Sequence, residues 1–496
     1  MVDFPGQLTV TLPALPGVIG AVHRPATVRS RMSSAVADRG SVRALNSLAV
    51  APKPRLNFLT TDFDGEPLGA RAVSTRGHPV WYERAPCNGL QHVIVGGMEN
   101  PSDDQRAYRL TGIDMVRGLV IVIMALDHVR DFFLAGGMQD PTKDPAVGLP
   151  LFATRWITHF CAPVFVVLAG TSAGLMRARK TPTELCAFLL KRGLWLVAVE
   201  IFVISTGFTF APLGLAAMNG KILVLMQVIW AIGASMIVLG FVQFLGRQVT
   251  FALGAIIVTC HNVLDWFWPV TSSRDHGLPM WTALHSQMSV DAGPWHFVFA
   301  YPLLPWIGLM MVGFGAAQLF ELHQKKRDEV LRAIGVALTL AFLVLRAVDS
   351  YGDPNHWQRQ PTGFISTVID FFNTTKYPPS LLYACMTLGP AAILCSYADG
   401  LRGRTKDVLV TFGRVPFVFY VAHFYLIHGL SVLLGTAQGF GPRPFFAIFF
   451  LYPKGYGISL PGVYAVWAVV VAVLYPLCKW MAGVKSRRKD FWLSYL

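Results

Sequence analysis

Residues 113–134 read IDMVRGLVIVIMALDHVRDFFL, a run long enough to cross a bilayer that nevertheless carries Asp114, Arg117, Asp127, His128, Arg130 and Asp131. Ionisable groups placed in hydrocarbon are costly, so these are expected to face a bundle interior, water or the interface, and they are functional candidates by default. Arg117, Ile121, Met124 and His128 recur at helical spacing and share one face, with Asp114 close to it. At about 1.5 Å per residue the ends of this stripe lie roughly 16 Å apart, about half of the hydrocarbon core. Asp127, adjacent to His128, points off that face toward a neighbouring helix.

The remainder of the chain gives this helix company. Of 496 residues 53% are hydrophobic and 14% charged, and the mean hydropathy is positive. That composition describes an all-α polytopic bundle with the lipid bilayer as its first partner. Runs of about 20 apolar residues give roughly ten spans, near 113–134, 155–176, 186–207, 222–245, 248–268, 296–320, 328–348, 378–397, 408–434 and 461–482. The net charge of +14 is not spread as a nucleic-acid footprint. Arg177 to Arg192, Lys325 to Arg332, Arg402 to Lys406 and Lys485 to Lys489 all fall on one side if the spans alternate, the side of Arg106 and Arg109. Roughly 20 basic residues on that side face about 8 on the other, the positive-inside pattern with both ends of the membrane domain cytoplasmic.

Residues 1–105 differ in character. They are rich in Ala, Arg, Pro, Ser and Gly, show no sustained periodicity and carry no clean signal peptide, because Pro13 and Pro16 interrupt the first apolar stretch. Two readings are open, a disordered extension or an over-long gene model whose start is Met98; the lack of any functional signal upstream favours the second. The membrane domain is then 106–496. The seven cysteines form no CxxC pair and read as small apolar packing residues. No compact set of metal ligands appears. Gly308, Gly313 and Gly315 read as close-packing positions, and the Arg-Gly-Leu triplets at 117–119 and 192–194 as coincidence.

Placed by depth, the histidines gather in the outer halves of the spans. Arg155 stands at the outer mouth of the second with His159 one turn deeper. His261 and Asp265 sit at i, i+4 near the end of the fifth, close enough for the carboxylate to orient the imidazole. Lys376 and Tyr377 precede the eighth, and His423 and His428 occupy the outer half of the ninth. An outer-leaflet acid/base site follows, with these residues as its acceptor-side candidates. The bland readings are interfacial histidines that snorkel, an Asp114–Arg117 ion pair that only locks its helix, and basic loops that only set topology. Long outer loops after spans five, seven and nine, about 25 to 30 residues each, are expected to cover a site.

The blocks RLTGIDMVRGLVIVIMALDHVRDFF, RWITHFCAPVFVVLAGTSAG, HNVLDWFWP, YPLLPWIGLMMVGFG, TKYPPSLLYACMTLGP and GRVPFVFYVAHFYLIHG, in that order from about Arg109 onward, resemble the bacterial DUF1624 branch of the heparan-alpha-glucosaminide N-acetyltransferase family. The resemblance implies a transmembrane acyltransferase that takes an acetyl group from cytoplasmic acetyl-CoA and passes it across the membrane through an essential histidine. Animal members carry that histidine upstream of an acidic position that aligns here with His159; the corresponding residue here is Leu149, so the role passes to His128 or His159. On this reading His128 or His159 is the general base, Asp127 holds the imidazole in its productive tautomer, and Asp114 with Arg117 forms either a donor-binding group or a structural ion pair. The acyl group, acetyl or another drawn from acyl-CoA, goes to an amine or hydroxyl of a sugar or envelope molecule. The expected location is the bacterial cytoplasmic membrane. Whether the chain forms a homo-oligomer is left open. The rival classes are a proton-coupled transporter built on the same Asp/Arg/His relay and a structural or assembly protein.

Overall fold

The computed structural model describes residues 101–136, 148–267 and 283–488, with isolated positions near both ends. The 1–105 extension lies outside these residues, apart from the opening of the first helix, and so does a start at Met98. Among the described residues eight helices are long and apolar enough to cross a membrane: Gly148–Met176, Val228–Leu245, Arg247–Phe267, Leu303–Glu321, Gln324–Val348, Leu381–Ala398, Pro416–Ala437 and Leu460–Arg487. The spans expected at 113–134 and 186–207 are also helical, as α1 (Pro101–Phe133) and α4 (Pro182–Val199), but charge interrupts their apolar runs: Asp114, Arg117, Asp127, Arg130 and Asp131 in the first, and Glu184, Lys191 and Arg192 in the second.

Local sequence accounts for how these helices begin and break. The expected second span is two pieces, α2 (Gly148–Thr158) and α3 (Cys161–Met176), interrupted at His159–Phe160. α4 opens on a capping box: Thr181 Oγ1 accepts from the Glu184 amide and the Glu184 carboxylate accepts from the Thr181 amide, with Pro182 pre-set for the first turn. Its far end widens into a π turn over Glu200–Ile204. The expected ninth span is likewise divided, because Pro416 removes a backbone donor, into α11 (Arg404–Arg414) and α12 (Pro416–Ala437).

Two expected spans begin as strands. β1 (Ile222–Met226) leads into α5 (Val228–Val242), which is followed by α6 (Arg247–Cys260). β2 (Met288–Ala292) and β3 (Trp295–Phe299) lead into α7 (Leu303–Ala316). β3 is the middle strand, parallel to β1 with Leu223 opposite His296 and antiparallel to β2 with Val290 opposite Phe297. A short apolar run does not distinguish a strand from a buried helical segment by periodicity. Here Pro302 stops α7 from extending backward, and pairing across β3 satisfies the backbone instead. The chain continues through α8 (Gln324–Val348), α9 (Phe364–Phe372), α10 (Leu381–Ala398) and α13 (Leu460–Arg487).

Glycines set the helix crossings. A Cβ on Gly118 of α1 would fall on the Leu409 carbonyl of α11, and one on Gly413 of α11 on the Asp114 carbonyl of α1. The same reciprocal contact recurs between Gly193 of α4 and Gly233 of α5, and between Gly335 of α8 and Gly389 of α10. Gly170 of α3 lies against the Met310 backbone of α7 and Gly313 against that of Val167, so close-packing is the role of Gly313 as expected. Both Arg-Gly-Leu glycines stand at crossings, which gives the repeated triplet a packing reason rather than coincidence. Adding one methyl at such a contact forces two backbones apart. Gly413→Ala is therefore expected to cost about 1–3 kcal/mol, while Gly429→Ala, with open space around its α-carbon on α12, leaves stability unchanged. Thermal unfolding of the detergent-solubilised variants, followed by tryptophan fluorescence, separates the two.

Candidate functional site

The polar end of α1 is the centre of the site. Arg130 bridges Asp127 at 2.8 Å and Asp131 at 2.7 Å. From α2, Thr158 donates a 2.8 Å hydrogen bond to Asp127 Oδ1, which is the neighbouring-helix contact that the helical spacing implied. From the loop before α10, Lys376 Nζ stands 3.9 Å from Asp127 Oδ2 and lies against the Tyr377 ring. The expectation that Asp127 orients the His128 imidazole is not met: its oxygens go to Arg130, Thr158 and Lys376. The reason is geometric, since adjacent residues on a helix diverge by about 100° and cannot share a partner face.

His128 instead turns into an aromatic pocket. Its ring lies 4.4 Å from Phe424, 5.3 Å from His423 and 5.9 Å from Phe208, measured between centroids. His423 is fixed by its Nδ1–H, which donates to the Phe419 carbonyl at 3.1 Å and leaves Nε2 as an acceptor. His159, at the α2–α3 break, is buried with its ring 5.6 Å from Tyr383, whose hydroxyl donates to the His159 carbonyl at 2.7 Å. His128 Nδ1, His159 Nδ1, His423 Nε2, Arg130 Nη1, Trp306 Nε1 and Tyr420 Oη are all buried without a hydrogen-bond partner among the described residues. Buried polar atoms are nearly always satisfied, so this concentration of open ones makes the end of α1 the candidate ligand site. Tyr301 joins the group through Tyr377, whose hydroxyl donates to its own at 3.4 Å.

The loop that delivers Lys376 is clamped twice. Arg346 of α8, fully buried, donates to the carbonyls of Asn355, Asp370, Phe371 and Asn373. Asp353 accepts from the Thr375 amide and hydroxyl and from Ser380 Oγ at 2.7–2.8 Å, while Ser380 in turn caps α10. Burial pushes the Asp353 carboxyl above the usual range, and the hydrogen bonds from Ser380, Thr375 and Asn355 pull it back only in part. For Lys376 the balance is opposite: burial pulls it down, but Tyr377 and Asp127 more than offset this and hold it above the ordinary lysine range. Lys376 is therefore a fixed cation near neutral pH, not a base.

Other expected residues divide by position. Arg155 is within electrostatic reach of His159 and Tyr383 and belongs to the rim of this cluster. His428 is a tie between segments, with its nitrogens 2.9 and 2.6 Å from the Gly207 and Phe445 carbonyls and its ring stacked on Phe210. The loop at 438–459 covers the end of α1 through Phe449 against Phe132. His261 is not oriented by Asp265. That carboxylate holds His285 at 2.9 Å and Asn262 at 2.8 Å, and Asn262 accepts from the Leu381 amide, so the group braces the start of α10. Asp114 and Arg117 pair at 2.8 Å, and Arg117 also donates to Ser172 on α3.

Sequence reading missed Tyr301, Tyr383, Tyr420, Trp306 and Glu200. Glu200 carried a signal, a lone carboxylate inside an apolar run; it is fully buried and accepts from the Trp230 amide at the head of α5. The tyrosines carried none, because a tyrosine near a span end is ordinarily interfacial.

Residues 109–347 match the family model described as heparan-alpha-glucosaminide N-acetyltransferase, catalytic. No curated protein matches the chain. The match takes in Asp127, His128 and His159 and stops short of Lys376 and His423, which the fold brings to the same place.

Removing Asp353 tests the clamp. Asp353→Ala leaves the Thr375 and Ser380 donors without their acceptor, at about 1–3 kcal/mol for each group that stays buried. Hydrogen exchange of the 373–380 amides is expected to quicken sharply while exchange in α7 stays unchanged.

Proposed function

Starting from the place of residues 109–347 in the heparan-alpha-glucosaminide N-acetyltransferase family, we propose that this membrane protein moves an acyl group, acetyl in the first instance, from cytoplasmic acyl-CoA to an amine or hydroxyl of a sugar or envelope molecule on the outer side. The observation that carries the proposal is the buried end of α1, where an imidazole with an open nitrogen, a fixed ammonium and several unpaired donors and acceptors surround one centre.

In this mechanism His128 is the general base. The acceptor N–H or O–H loses its proton to the open His128 nitrogen as its lone pair attacks the thioester carbonyl carbon. The C–O double bond opens to an oxyanion, for which Lys376 supplies the fixed positive charge. When the intermediate collapses, the C–S bond breaks, the oxyanion returns to a carbonyl, and His128 gives its proton to the departing thiolate of CoA. Asp127 acts as a positioning residue that keeps Lys376 and Arg130 in place. His159 lines the same centre with its own open nitrogen, and an acyl-histidine intermediate on either ring is the covalent variant of the route. The donor would enter beside Arg117, midway along α1, and span the roughly 16 Å to His128 through its pantetheine arm. Ten spans with both ends of the membrane domain cytoplasmic give donor and acceptor opposite sides, in keeping with the basic loops.

The test is acetyl transfer from radiolabelled acetyl-CoA by purified protein in vesicles that contain envelope extract. His128→Ala is expected to lower turnover by about 10²–10⁴-fold while donor binding stays intact. Lys376→Ala should lower turnover without shifting the donor Kd. Folded wild-type protein that binds no acyl-CoA would sink the proposal, and proton-coupled flux would then be the assay to run.

A further inference from the structure

Midway along α1, about 16 Å from His128, lies a second cluster whose cations have no part in the chemistry at His128. Arg117 is anchored there by Asp114 and Ser172 and points along the α1–α11 crossing toward the Gly413 carbonyl, 3.5 Å from its Nη1. Arg414 follows Gly413 on α11, whose backbone lies against that of Asp114. Lys485, in the last turn of α13, donates to the Arg414 carbonyl at 3.2 Å and stands within electrostatic reach of Arg117, Asp114 and Arg192. Arg192 of α4 lies with its guanidinium 5.7 Å from the Phe417 ring centre, at the head of α12. Five separate helices thus bring cations or their supports to one place.

Charge does not balance in this cluster. Asp114 is the carboxylate among them, and it is engaged by Arg117. Arg414 and Lys485 make no ion pair with any described residue; the Lys485 amine meets only a backbone carbonyl. A loop that merely sets topology needs cations on the correct side but not convergence. Here they converge beside a crossing that admits no side chain, and they are partly open: Arg414 is exposed, and Arg117, Arg192 and Lys485 are half-buried. A small group with two or more negative charges and several acceptor oxygens is the chemistry that satisfies forked and point-charge donors together.

We propose that Arg117, Arg414 and Lys485, with Arg192 beside them, form a phosphate-binding cradle at the α1–α11–α13 junction. The phosphates are those of a coenzyme A donor, and the same chemistry is offered by the head group of an anionic phospholipid. With CoA as the source, the inference rests on the acyltransferase proposal and adds to it where the donor's charged end is held. Arg117 and His128 then divide the donor between them, phosphates at the middle of α1 and thioester near its end.

The experiment uses the full chain in nanodiscs and measures binding of coenzyme A and of pantetheine, which lacks the phosphates, to wild type, Arg414→Ala, Lys485→Ala and the double variant. A parallel arm compares retention of phosphatidylglycerol with phosphatidylcholine. The cradle predicts that CoA binds at least about tenfold more weakly to each single variant. Its affinity should fall with salt in wild type and fall less steeply in the double variant, while pantetheine binding stays unchanged. If CoA binding is unaltered but phosphatidylglycerol retention is lost, the cradle stands with lipid as its source. If neither probe responds in variants that elute and unfold like wild type, the cradle is overturned. Arg414→Lys, which keeps the charge and loses the fork, should fall between wild type and Arg414→Ala. The outcome is separable from the transferase proposal: phosphate binding that depends on Arg414 and Lys485 in a protein that transfers no acyl group leaves the cradle intact and removes the enzyme.

Discussion

The contact between Gly118 and Gly413 is the constraint from which the rest of the molecule follows. With no side chain between them, α1 and α11 meet backbone to backbone, and van der Waals contact of that kind is what holds helices together where water supplies no hydrophobic drive. The contact fixes the depth and rotation of α1. Because α1 is one unbroken helix from Pro101 to Phe133, fixing it at Gly118 also fixes where Asp127 and His128 arrive and where Arg117 must stay. Both polar clusters are thus consequences of one crossing, and reciprocal glycines at α4–α5 and α8–α10 set the surrounding helices by the same means.

What such a helix costs in charge is offset locally. Asp127 is held by Arg130, Thr158 and Lys376, Asp131 by Arg130, and Asp114 by Arg117. An ion pair taken out of water gains little net stability but is expensive to break. Among the described residues the atoms left open near the end of α1 are chiefly on neutral groups, the imidazoles, the Trp306 indole and the Tyr420 hydroxyl, with Arg130 Nη1 beside them. That division is what a site needs: charges spent on geometry, and open nitrogens and oxygens for the ligand.

Much of this was legible in the chain. The helix that carries Arg117 and His128 and the placing of Lys376 just before the helix at Leu381 follow from spacing and hydropathy, whereas the span expected whole at 408–434 is divided at Pro416. Other features were not, for three physical reasons. An apolar pentad such as ILVLM at 222–226 fits a strand or a buried helix equally, and only its pairing with Trp295–Phe299 decides. A carboxylate chooses among partners in three dimensions, so Asp265 took His285 from a distant loop rather than His261 one turn away. Lastly, i, i+1 divergence on a helix made the Asp127–His128 partnership impossible although the two are neighbours in sequence.

These pairings also bear on the choice between an enzyme and a carrier. A proton-coupled carrier must exchange partners during its cycle, so that buried charges are paired in one state and released in the next. Here the charged residues around Asp127 are tied across α1, α2 and the loop before α10, and that loop is itself pinned by four carbonyl bonds to Arg346 and three bonds to Asp353. Releasing Asp127 would leave a buried ion uncompensated, at about 3–5 kcal/mol for the pair alone, and would unseat the loop as well. An enzyme asks the reverse of the same residues. Lys376 has to stay where an oxyanion forms, and preorganised charge of that kind lowers a barrier because it does not move. The stiffness of the cluster therefore favours transfer of a group past fixed residues over transport by rearranging them.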